Sequence, residues 1–152
     1  MKQTVALCAS INFYRHAIEI GEELEVMGFE VILPSGAAKM RSENNFEASS
    51  IKSWYDDPAD FYLKADLMRE HFVSIQKSDL VLVINDKKHG MDGYVGPNVV
   101  MEMGVAFYLN KPIYVLNEVS KEMPTYEEVL GVMPILLDGT LNKLNNFKKE
   151  EQ

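Results

Sequence analysis

The sequence predicts an α/β fold in which a five-stranded parallel sheet is covered by helices on both faces. Three observations carry this. Short apolar runs alternate with segments of helical periodicity along the chain. The strand-like runs are apolar throughout, as strands buried on both faces must be. The 152 residues hold no internal repeat and fit a single domain spanning 1–152. Together they predict a three-layer sandwich of flavodoxin-like or Rossmann-like type.

The elements follow in order. "TVALCAS" (4–10) is the first strand, and "INFY" breaks it. Ala17, Ile20, Leu24 and Met27 then recur at helical spacing over 15–27, with Gly28 as the C-cap. "FEVIL" (29–33) reads as a strand closed by Pro34. Residues 35–58 show no clean period and many Ser, Asn and Asp, the signature of a long functional or poorly ordered loop that could act as a lid. Phe61, Ala65, Met68, Phe72 and Ile75 form an apolar stripe on a helix over 59–77. "DLVLVIN" (79–85) is the third strand, a helix spans 98–109, and "IYVLN" (113–117) is the fourth strand. A looser segment, a short "ILL" strand and a polar helix from about Thr140 complete the chain.

Composition excludes several functions. The formal net charge is -8, and no Lys/Arg stripe offsets it, so no nucleic-acid partner is expected. A small anion remains compatible, because main-chain N–H groups at a helix start can hold one. No apolar run reaches membrane-spanning length and no signal peptide is evident, so a cytoplasmic protein with no membrane partner is expected. The one cysteine, Cys8, cannot form an intramolecular disulfide and reads as a buried strand residue, with a reactive thiol as the minor alternative. Cys8, His16, His71 and His89 show no metal-ligand spacing, and no GxGxxG follows the first strand, so neither metal nor cofactor is expected.

In such sheets ligands lie beyond the carboxyl ends of the strands. Three loops reach that edge: Ser10–Tyr14, the stretch from Asn85 to Asn98, and the one after Asn117. Pro97 suits a first helical position, with Gly96 or Asn98 as the cap. Glu102 then stands in an otherwise apolar run, at least four residues into the helix, where the helix dipole no longer favours it. A carboxylate there is costly unless it works, as a nucleophile or an acid/base group. Ser10, Asn12 and Phe13 either offer a hydroxyl, an amide and N–H groups to a ligand or make a simple turn. Asn85, Asp92 and Tyr94 lie on the second loop. Trp54 and Tyr55 either stack on a ligand or anchor the long loop.

"VALCASINFYRHAIEIGEELEVMGFEVILP", "MREHFVSIQKSDLVLVIND" and "GYVGPNVVMEMGVAFYLNKPIYVLN" resemble the nucleoside 2-deoxyribosyltransferase-like superfamily, which includes the 2′-deoxynucleoside 5′-phosphate N-hydrolases. The likeness spans roughly residues 4–117, and its most specific part is the Gly-rich loop entering "EMGVA…NKPIYVL". The resemblance implies that Glu102 attacks the anomeric carbon of a deoxyribosyl group and that another base or water resolves the ester. Two positions depart from the family pattern: His71 stands where an Asp is frequent, and Gly96 where an Asp or Ser is frequent. Protonation of the departing base would then fall to His71 or a loop residue. The resemblance further implies a small-molecule nucleoside or nucleotide partner and a homo-oligomer. The alternative to an enzyme is a non-catalytic nucleotide-binding or sensor module on the same fold.

Overall fold

The computed structural model describes residues 1–150, without the side chains of 148–150. Five strands, β1 (Thr4–Ala9), β2 (Glu30–Ile32), β3 (Leu80–Ile84), β4 (Ile113–Val115) and β5 (Ile135–Leu136), form one sheet in the order β2-β1-β3-β4-β5. Every pairing is parallel, with Val5 opposite Leu80 and Ala9 opposite Ile84 at its centre. Five helices lie between the strands, α1 (Tyr14–Val26), α2 (Ala37–Glu43), α3 (Phe61–Lys77), α4 (Pro97–Tyr108) and α5 (Tyr126–Gly131), and α6 (Leu144–Glu150) follows β5. The expected parallel sandwich is the observed one, and no described helix is long and apolar enough to cross a membrane.

The period-two geometry of strands divides the core into two layers. Val5, Leu7 and Ala9 of β1 face α1 and α6 together with Leu80, Leu82 and Ile84 of β3. Ala6 and Cys8 face α3, α4 and α5 together with Val81 and Val83. Helix α1 ends as the sequence indicates. Gly28 takes φ +91, its N–H reaches the Glu25 carbonyl, and the Phe29 N–H reaches Leu24, which satisfies the last carbonyls of the helix.

Two expectations are revised. The 35–58 stretch is not a featureless loop: it contains α2 and two short 3₁₀ turns, Ala48–Ser50 and Ser53–Tyr55. Met40 and Trp54 bury against the rest of the molecule, so single apolar anchors order a segment that has no apolar period. The stripe on α3 is core only in its second half. Ile75 is buried, whereas Phe61 is half exposed, because the first half of α3 packs on the turns at 53–60 rather than on the sheet. Within the looser segment after β4, the structure forms the short helix α5.

The carboxyl ends of β3 and β4 are locked by a pair of asparagines. The Asn117 N–H donates to Asn85 Oδ1 at 2.8 Å, Asn85 Nδ2 donates to the Asn117 carbonyl at 2.9 Å, and Asn117 Nδ2 donates to the Asn85 carbonyl at 3.1 Å. Gly93 closes on this lock with φ +63, and a Cβ there would stand 1.9 Å from the Glu118 carbonyl oxygen. Gly90 also has positive φ but faces open space. Gly93→Ala is therefore expected to cost about 3 kcal/mol and Gly90→Ala about 1 kcal/mol, since only the first adds a backbone collision to left-handed strain. Urea unfolding of the two variants checks this, and equal losses would contradict it.

Candidate functional site

The crossover after β1 runs through α1 to one face of the sheet, and that after β3 runs through α4 to the other. Between these diverging connections opens a cleft of about 410 Å³ at the carboxyl edge. Its floor is Ala9, Ser10 and the first turn of α4; Met68 and His71 of α3 form one wall; Ile51, Lys52, Trp54 and Tyr55 roof it. The long segment after β2 thus covers the site.

Glu102 lies at the bottom of this cleft and is 5% exposed. Gly96 is the N-cap of α4 and Pro97 its first residue, and no side chain caps the helix. The missing Cβ of Gly96 admits the Tyr94 ring, whose nearest atom would stand 3.2 Å from it. One turn into α4, Asn98 Nδ2 donates to Glu102 Oε1 at 3.1 Å. Cys8 Sγ lies 3.4 Å from His71 Nε2, which is 3.7 Å from Glu102 Oε2. Asn98 Oδ1, His71 Nδ1 and Glu102 Oε2 are buried and make no hydrogen bond, so polar capacity is gathered at this spot.

Burial governs the charges. Desolvation pushes the Glu102 carboxyl from 4.5 up to about 8, with the Cys8 thiol and the Lys64 cation only partly opposing it. Desolvation also lowers His71 from 6.5 to about 4 against the pull of the Leu7 main chain. The His71–Glu102 contact is therefore a neutral pair at pH 7, with the proton on the carboxyl, rather than an ion pair. Burial and Glu102 likewise push the Cys8 thiol and the Tyr14 phenol up. The nucleophile that the resemblance implies has to be ionised to attack, whereas burial holds Glu102 protonated at pH 7.

The rim carries the opposite sign. Lys52, Lys64 and Lys88 line the cleft, and among the described residues its only acidic lining residue is Glu102. Each ammonium lies against an aromatic ring of the site: Lys52 over Tyr55 at 5.3 Å, Lys64 over Trp54 at 5.5 Å and Lys88 over Tyr94 at 5.3 Å. Lys88 is set by a two-residue turn, His89 and Gly90 both taking positive φ, and its Nζ donates to Ser10 Oγ at 3.1 Å. Desolvation, with Lys52 nearby, lowers its affinity for the proton.

Of the residues singled out from the sequence, Glu102, His71, Ser10, Tyr94, Gly96 and Asn98 line the cleft. Four do not. Asn12 is exposed on the turn after β1, and Phe13 is core beneath α1. Asn85 spends its amide on the strand lock, and Asp92 points outward with its side chain 85% exposed. Trp54 is buried and Tyr55 is 71% exposed, yet both contribute to the roof. Sequence reasoning missed the three lysines and Tyr14, because a cation in a loop or on a helix reads as solvated until the fold turns it inward. It also missed the convergence of Cys8, His71 and Glu102, whose donor atoms all lie within 4.8 Å of one another.

The raised Glu102 pKa has a consequence for stability. In the unfolded chain the carboxyl ionises near 4.5, whereas in the fold it ionises near 8. Its protonated form favours folding fully below pH 4.5, and that contribution is lost as pH rises to 8. Glu102→Gln has no such dependence. Its stability relative to the parent protein is expected to improve by about 3 kcal/mol between pH 5 and pH 8. Urea unfolding at both pH values reads the change, and a constant difference would contradict the raised pKa. Neither the protein-family models nor the curated proteins compared with this chain give a match.

Proposed function

We propose that the protein cleaves or exchanges the N-glycosidic bond of a 2′-deoxynucleoside 5′-monophosphate or its nucleoside, with Glu102 as nucleophile. The observation that carries this reading is a single carboxyl group at the floor of a cleft, with Oε2 beside His71 Nε2 at 3.7 Å and Oε1 held by Asn98. The resemblance described above supports the same role. Ionised Glu102 bonds through an oxygen to the anomeric carbon as the carbon–nitrogen bond breaks, and the electron pair leaves with the base. The base takes a proton and departs. Water or a second base then attacks the same carbon, breaks the ester and restores the carboxylate.

His71 is neutral at pH 7, so in this reading it positions Glu102 rather than protonating the base, and that proton comes from solvent. The lysine rim supports a phosphate-bearing substrate in a chain of net charge -8. A second reading, a nucleotide-binding sensor, is favoured by the protonated state of Glu102 and the neutral state of His71 at pH 7.

Chromatography of free base after incubation with deoxynucleosides and their monophosphates, with and without an acceptor base, separates the two. Turnover lowered about 10³-fold or more in Glu102→Ala is expected for the nucleophile. Binding without turnover would establish the sensor. With a chelator present, log kcat/KM is expected to rise with unit slope below pH 8 and level off above it, as Glu102 loses its proton. Cys8, Tyr14, Lys64 and His71 face that carboxyl and share its environment. Lys88→Ala should raise KM for monophosphates about tenfold while leaving that for nucleosides within about twofold, a loss near one charge-assisted hydrogen bond.

The same reading takes the chain as a homo-oligomer. Helices α3 and α4 pack on each other and present exposed Phe61, Tyr62, Phe107 and Tyr108. Light scattering after chromatography should show more than one copy in the parent and a shift toward monomer in Phe107→Glu/Tyr108→Glu. A monomeric parent would remove this part.

A further inference from the structure

We propose that Cys8, His71 and Glu102 form a binding site for one zinc ion, open on its fourth side to the cleft. A thiolate, an imidazole and a carboxylate are three of the ligand types zinc takes, and three protein ligands with one open position is the arrangement of a reactive site. Their edges fit. Around tetrahedral zinc a sulfur–nitrogen pair stands about 3.5 Å apart and a nitrogen–oxygen pair about 3.3 Å. Cys8 Sγ and His71 Nε2 stand 3.4 Å apart, and His71 Nε2 and Glu102 Oε2 stand 3.7 Å apart. The three donor atoms lie within 4.8 Å of one another, so a small side-chain rotation closes the remaining edge.

The donors sit within β1, α3 and α4, one from each, rather than on loops, so the triangle is held by the packed core. Glu102 Oε2 is buried and its polar neighbours are the other two members of the cluster, Cys8 and His71, which leaves it free to coordinate a shared ion. His71 and Glu102 line the cleft and give the ion a path in, while Cys8 closes the site from beneath. Charge balances as well. Binding displaces the thiol proton and the carboxyl proton, so two anionic ligands neutralise the divalent ion and no net charge is buried. The thiolate selects zinc over magnesium or calcium. A zinc ion here occupies the Glu102 carboxylate, so it and a glycosyl adduct on that residue exclude one another.

Metal-free reduced protein titrated with cobalt(II), then with zinc(II), tests the site. One equivalent of cobalt should bring a thiolate-to-metal absorption band in the near ultraviolet, and zinc should displace it. Cys8→Ser should abolish the band, and Cys8→Ser and Glu102→Gln should each weaken zinc binding about 100-fold or more. Circular dichroism verifies that each variant is folded. X-ray absorption at the zinc edge of the unaltered protein needs no variant and should report one sulfur and lighter donors. A sulfur-free shell, zinc binding unchanged in folded Cys8→Ser, or no stoichiometric binding would each overturn the proposal. These readouts use no substrate, so their failure leaves the glycosyl-transfer reading standing, and absent turnover in metal-free protein leaves the zinc site standing.

Discussion

The parallel pairing of β1 with β3 organises this molecule. Five consecutive registered pairs, from Val5 with Leu80 to Ala9 with Ile84, fix the two central strands side by side. Their carboxyl ends then stop at the same level, and the chain leaves them toward opposite faces. A crevice at that level follows from the geometry of parallel sheets, because the two connections cannot both cover it. Cys8, Ser10, the Lys88 turn and the start of α4 all take their places from that pairing.

The crevice is floored by groups that the surrounding core keeps neutral. Cys8 and Glu102 are pushed toward their protonated forms, and His71 toward its neutral form, for the same reason: each lies where water does not reach a charge. Ordinary packing would place a leucine at 102. The lysines above have the opposite environment, half in solvent and laid over aromatic rings, and they stay at the rim. A polar floor without charge thus lies beneath a cationic rim.

What was legible in the sequence follows from local physics. Unbroken apolar runs identified β1, β3 and β4, because a strand covered on both faces has no polar side. Gly28 and Pro97 marked helix ends through backbone constraints that act within a few residues. Glu102 stood out because a carboxylate in an apolar helical run is unfavourable whatever it touches. The order in 35–58 was not legible, since Met40 and Trp54 anchor it through contacts with distant elements rather than through a period. The exposure of Phe61 was hidden likewise, because periodicity identifies an apolar stripe but not what lies opposite it.

The sequence by itself therefore determined the layer architecture, the edge where a site must lie and the one carboxyl group out of place. Tertiary structure alone decided the company that group keeps. Asn85, which sequence position alone assigns to the site, is taken by Asn117 for the strand lock, while Lys52 and Lys64, unremarkable in their own segments, turn toward the cleft. Cys8, His71 and Glu102 lie 63 and 31 residues apart in turn and meet only because β1, α3 and α4 pack on one face. Periodicity and capping act over one or two turns of chain. Convergence of side chains depends on how whole elements cross, and no local spacing encodes that.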